Sequence, residues 1–174
     1  MKREIVQKGN KVLGKISKEV DLSSGVPQKI QDLIKSMQEV LKDIPDGVAL
    51  AAPQVGELIR LFVISPRAFE YMDESLSEKQ NLVFINPIIK KKSFDKKKME
   101  EGCLSVRGWY GHVKRSTRAT IEAYDESGHK IEIEGVGLLA QIFQHETDHL
   151  DGVLFDSKAK NLKETPMDQY GQKI

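Results

Sequence analysis

The chain has 174 residues, enough for one compact domain with a full hydrophobic core. With 39% apolar and 30% charged residues, it fits a folded globular protein and excludes a disordered one. The formal net charge of +1 gives no global argument for a nucleic-acid partner, and no apolar run approaches the ~20 residues needed to cross a bilayer.

The opening ten residues, MKREIVQKGN, lack the apolar stretch of a secretory signal and are too few to read as a transit peptide. A cytoplasmic, single-domain protein over residues 1–174 is the expectation. Cys103 is the one cysteine, so no internal disulfide can form, which suits a reducing compartment. Taken alone, a lone cysteine reads as a small buried hydrophobe.

Residues 27–44 carry Ile30, Leu33, Ile34, Met37, Val40, Leu41 and Ile44 at the spacing of an amphipathic helix. Pro27 suits its first turn, Ser23 or Ser24 could cap it, and Pro45-Asp46-Gly47 stops it. Residues 61–64 form a short buried strand ended by Pro66. Residues 70–81 are polar and read as a solvated loop. Residues 83–85 form another strand, followed by Asn86-Pro87. The segment KKKSFDKKK at 90–98 reads by default as a solvated hairpin or loop. Residues 120–124 and 130–134 alternate apolar and polar side chains around Asp125-Glu126-Ser127-Gly128, a hairpin signature. Gly137 precedes a second helical segment that ends at Gly152. The predicted fold class is α+β: antiparallel strands wrapped around the C-terminal helix, with the first helix packed outside.

That second helix contains His145-Glu146-Thr147-Asp148-His149, an H-E-x-x-H pattern. Residues four apart on a helix sit one above the other, with Cβ atoms ~5–6 Å apart. Two imidazoles there can converge on one ion, and Glu146 lies close enough to serve a metal-held water without being a ligand. Leu138, Leu139, Ile142 and Phe143 make the surrounding surface apolar. A structural site needs four protein ligands, whereas a catalytic one needs three and an open position. The other two of the four histidines, His112 and His129, sit in predicted loop or hairpin regions. The pattern alone leaves the third ligand open.

Two further stretches complete the picture: GVALAAPQ at 47–54 and Glu101-Gly102-Cys103-Leu104-Ser105. In the order GVALAAPQ, EGCLS, QHETDHLDG, these motifs resemble the peptide deformylases, which remove the formyl group from the N-terminal methionine of new proteins. The resemblance spans roughly residues 5–157, because the first helix, the LFVI and FINP strands and the hairpin also fall in the family's order. It implies Cys103, His145 and His149 as ligands of one divalent ion, generally Fe(II), with Zn, Ni or Co able to replace it. It implies Glu146 as acid/base, and Gln54 with the backbone N–H of Leu104 as oxyanion donors. It implies Val48, Leu138 and Ile142, together with His145, as methionine-pocket lining. Ala49 and Gly102 to Leu104 would pair with the extended peptide. Glu101, Arg115 and Gln144 would brace the site. The implied partners are N-formylmethionyl nascent peptides, with a transient ribosome contact; the chain itself is expected to be a monomer, and the 90–98 charge run has, beside its default reading, a functional one as a contact to ribosomal RNA phosphates.

The chain departs from the family at several places. Ala49 stands where the first motif has its second Gly, Arg107 near where a Pro is usual, and Gln141 where many members have Arg. Only 22 residues follow Gly152, and they include Pro166, which does not suit the long C-terminal helix of some members. Two other functions compete: a deformylase-like binder of formyl peptides with weak turnover, motivated by Ala49, and a zincin-type peptidase taking its third ligand from Asp151 or Asp156.

Overall fold

The computed structural model describes residues 3–71 and 82–165. Among them are two α-helices and eight strands in two antiparallel sheets, an α+β architecture. Strands β1 (Ala49–Ala51), β2 (Leu61–Ile64), β3 (Leu82–Lys92), β6 (Arg118–Tyr124) and β7 (Lys130–Val136) form the larger sheet, in that order. Strands β4 (Lys96–Gly102), β5 (Trp109–Ser116) and β8 (Lys160–Glu164) form the smaller one, in the order β4-β5-β8.

The larger sheet is apolar on both faces, and this fixes where the helices go. In β2 all four residues are buried. Leu61 and Val63 join Leu50 and the buried stripe of α1 (Gln28–Lys42), namely Ile30, Leu33, Ile34, Met37, Val40 and Leu41. Phe62 and Ile64 turn the other way and pack with Phe84, Ile121 and the residues Leu139, Ala140, Ile142 and Phe143 of α2 (Leu138–Leu150). Period-2 alternation thus sends one half of each strand to each helix. A strand buried on both faces reads as an unbroken apolar run, which is why LFVI is so plain in the sequence. Gly152 lets the chain leave α2 at φ +73°, where a Cβ would lie 2.8 Å from the backbone of Gly14.

The structure corrects several expectations. Neither Ser23 nor Ser24 caps α1: Gly25 turns the chain at φ +84°, and Pro27 takes the N-cap position without a side-chain bond. The strand at 83–85 is the buried core of an eleven-residue strand. It passes Pro87 through a register shift next to Asn86, whose φ is +52°; a proline without an N–H is tolerated at such a bulge. The 90–98 segment is not a hairpin. It is a strand–turn–strand crossing that leaves β3 in the larger sheet and enters β4 in the smaller one. Strands β4, β5 and β8 were not anticipated. Of the predicted 70–81 loop, residues 70–71 end a 3-10 turn (Pro66–Tyr71), and the remainder lies outside the described residues. No helix among the described residues is long and apolar enough to cross a membrane.

Candidate metal centre

Three parts of the chain meet between the two sheets. Helix α2 contributes His145 and His149, whose rings are 4.9 Å apart, and Glu146 between them. Cys103 follows the last residue of β4. Gln54 comes from the 3-10 turn Ala52–Val55, directly after β1. The ligand atoms of Cys103, His145 and His149 all lie within 4.8 Å of one another. Cys103 Sγ is 3.2 Å from His149 Nε2. Ligands bound at ~2.0–2.3 Å around one tetrahedral ion sit about 3.3–3.8 Å apart, so a small inward adjustment suffices.

The surrounding bonds suit a cation. Glu101 Oε2 lies 3.0 Å from His145 Nδ1. A proton held there by the carboxylate leaves the lone pair of Nε2 for an ion, the usual device for orienting a metal-bound imidazole. Gln54 Nε2 at 3.6 Å and the Ser105 backbone N–H at 3.4 Å donate to Cys103 Sγ and hold it in place. His149 Nδ1 and Glu146 Oε2 are buried with no hydrogen-bond partner. Orphaned polar atoms beside a converged thiol and two imidazoles fit a soft-to-borderline divalent ion rather than a hydrogen-bonded core.

Burial pushes the Glu146 carboxyl up to about 7. His149 is pushed well down by burial and then by His145, which keeps it neutral. Burial alone would also lower His145, but the hydrogen bonds to Cys103 and Glu101 outweigh it and raise it. Burial likewise works against the Glu101 carboxylate, yet the Arg115 hydrogen bonds, followed by those of His145, hold it at about 2. Arg115 grips both Glu101 oxygens, at 2.7 and 2.9 Å, and reaches Asp148 Oδ2 at 2.6 Å. One buried guanidinium therefore locks β4, β5 and α2 together. Gln144 sits elsewhere: it ties α2 to β5 through both backbone groups of Ser116 and does not touch the Cys–His group.

A cleft of ≈ 550 Å³ opens over these groups. Val48, Ala49, Gln54, Glu101, Gly102, Cys103, Leu104, Leu138, Ile142, His145 and Glu146 all line it; His149, Arg115 and Gln144 lie behind it. Gly102 is needed where it stands, because a Cβ there would lie 2.5 Å from the Tyr110 ring. The rim holds Asp46, Trp109 and Tyr110, which sequence reasoning did not assign to the site, and Arg107 and Gln141, which it noted only as departures from the family pattern. Arg107 Nη1 faces Asp46 across the mouth at 3.3 Å. For Asp46, Trp109 and Tyr110 the signal in the sequence was their closeness to the GVALAAPQ and EGCLS stretches. Of the two aspartates considered as alternative ligands, Asp151 pairs with Arg60 and Asp156 with Lys8, and neither joins the Cys–His group.

The family model described as polypeptide deformylase matches residues 2–165. The chain belongs to the polypeptide deformylase family. Peptide deformylase 1A, chloroplastic/mitochondrial, of Arabidopsis thaliana is 38% identical over 164 residues, 89% of this chain but 60% of the plant protein. Peptide deformylase 2 of Clostridium acetobutylicum is 38% identical over 153 residues, 88% of this chain and 92% of the relative. Among solved structures, the peptide deformylase of Ehrlichia chaffeensis in complex with actinonin superposes with a TM-score of 0.80 at 34% identity, covering 91% of this chain and 89% of that one. Family membership places the chain among enzymes, as a hydrolase of protein biosynthesis.

Proposed function

We propose that residues 1–174 act as one catalytic domain that hydrolyses the N-formyl group of newly made polypeptides, releasing formate and a free amino terminus. The observation that carries this reading is the convergence of Cys103, His145 and His149 within 4.8 Å, beside a buried Glu146, under a cleft in a chain of this family. Cys103, His145 and His149 would hold one divalent ion, Fe(II) in the cell, with Zn, Ni or Co as substitutes. When bound, such an ion polarises a carbonyl and acidifies a water.

The chain's own groups carry the rest. Glu146 takes the proton of the attacking water and returns it to the leaving amine, a task suited to a carboxyl held near 7. Gln54 Nε2 and the Leu104 backbone N–H donate to the oxygen that gains negative charge. Val48, Leu138 and Ile142 receive the methionine side chain. β1 and β4 are each an edge strand of their sheet, and Ala49 and Gly102 line the cleft between them. An extended peptide can therefore add to those edges through its main chain. Glu101, Arg115 and Gln144 hold the helix that carries His145-Glu146-x-x-His149 against the smaller sheet. The working partners on this reading are formylated nascent peptides, met by a monomer in the cytoplasm.

Formate release from formyl-Met-Ala-Ser, measured anaerobically with Fe(II) or Ni(II) supplied, tests the proposal. Turnover that disappears in Glu146→Gln supports it. Tight peptide binding without formate in the metal-loaded protein would replace it with a formyl-peptide binder.

A further inference from the structure

Charge is segregated in this chain. Residues 90–98 hold six lysines and one aspartate, a net +5 in a chain of net +1, so the remaining residues together carry −4. Asp95 is engaged locally: its Oδ2 accepts from Thr117 Oγ1 at 3.0 Å. Among the described residues, Lys90 alone of the six lysines makes an ion pair, with Glu122. The crossing from β3 to β4 is also held fast. Ser93 Oγ donates to the Asp95 carbonyl and accepts from the Arg118 N–H, and Ser116 Oγ donates to the Ser93 carbonyl. This stapled turn holds the Phe94 ring wholly in solvent. The fold gains nothing from an exposed phenyl ring on a fixed turn.

The basic surface continues across the smaller sheet. Lys98 of β4 lies directly opposite Lys114 of β5, both exposed. Like charges at opposed sheet positions destabilise the pairing. The next row sets Glu100 opposite His112, which also pairs with Lys160 of β8, and Lys163 follows opposite Tyr110 at the cleft rim. Lysines thus run from the Phe94 turn along an open sheet face to the mouth of the cleft.

We propose that this face is a docking surface for RNA, with lysines on phosphates and Phe94 stacked on an unpaired base. Unpaired cations in a row suit a polyanion, whose binding gains from counterion release. An aromatic ring among them suits a nucleobase, since stacking on such rings is the common platform for single strands. An anionic membrane would find one apolar anchor here, whereas membrane-surface elements present a whole apolar face. Binding through this face is independent of the deformylase reading, so either can fail alone.

The test is fluorescence anisotropy of a labelled single-stranded RNA of about 16 nucleotides with the full chain. Between about 50 and 200 mM KCl, the logarithm of affinity should fall against the logarithm of salt with a slope of roughly −3, from about −0.7 per contact and four or five lysines engaged. Lys98→Gln/Lys114→Gln should reduce the slope by about 1.4, two contacts' worth, without lowering the melting temperature, because it removes a repulsion. Phe94→Ala should weaken binding about five-fold or more with the slope unchanged. Absence of binding at about 50 mM salt, or binding indifferent to all three substitutions, would overturn the proposal. So would co-sedimentation with phosphatidylserine vesicles that outlasts RNA binding as salt rises.

Discussion

At the residue scale the decisive groups are a carboxyl and an amide. Glu146 is buried and carries a carboxylate oxygen with no hydrogen-bond partner. A general acid/base contributes typically ~10²–10⁴ in rate, so Glu146→Gln should lower kcat for formate release by that range while metal content stays near one ion per chain. Metal loss on that substitution would make Glu146 a ligand and remove its assigned role. Gln54 is fixed from behind, since its Oε1 accepts the Ala51 N–H at 2.8 Å. Its Nε2 is thereby held toward Cys103 and the cleft. Gln54→Ala should cost about 10²–10³ in kcat, the usual loss for one oxyanion donor, with KM changing far less. A loss confined to KM would instead make Gln54 a substrate-binding residue.

At the element scale, two strands and a helix are joined by buried charge. Glu101 and Arg115 are both nearly inaccessible to solvent. Arg115→Ala should therefore destabilise the chain by about 3–5 kcal/mol, the cost of leaving one buried partner unpaired, and urea unfolding would measure it. Arg115→Met, which removes the charge but keeps some volume, should still leave Glu101 uncompensated and fall near the same value. Surface charge behaves differently. Glu122, in β6, is drawn below the usual glutamate value chiefly by the Lys130 hydrogen bond. A lowered carboxyl stabilises the fold above its unfolded value, and that contribution fades as pH falls through the folded one. A carboxyl-carbon NMR titration should place Glu122 below 4.5, and Lys130→Ala should move it upward. The same elements show what the sequence could reveal. The H-E-x-x-H helix and the amphipathic α1 announce themselves by period, and the doubly buried β2 by an unbroken apolar run, because one face or both are apolar. β4 and β8 do not, because Lys96 to Lys98 and all of β8 stay exposed. A solvated strand carries no alternation. Cys103 was found through its neighbours Glu101 and Gly102, whereas Asp46 and Arg107 meet only in three dimensions.

At the scale of the whole molecule, the two large apolar clusters are built from α1, α2 and the larger sheet, and they contain none of Cys103, His145 and His149. The bonds that aim the ligands also lie within the protein: Glu101 to His145, and Gln54 and Ser105 to Cys103. The metal-free chain should therefore be folded, unlike domains whose core is the ion itself. Binding to a prearranged native site and not to the unfolded chain still adds stability, by RT ln(1 + [M]/Kd). At an ion concentration about 100 times Kd, this is about 2.7 kcal/mol, which for a chain of this length raises Tm by roughly 5–10 °C. Calorimetry of chelator-treated protein, titrated anaerobically with Ni(II) or Zn(II), should give a cooperative transition throughout, with Tm climbing as the ion is added. Cys103→Ala should abolish the climb while retaining the transition, and Glu146→Gln should keep both. A Tm indifferent to metal would dissolve the centre, and an unfolded metal-free chain would mean that the ion, and not the Glu101–Arg115 lock, holds the two sheets on α2.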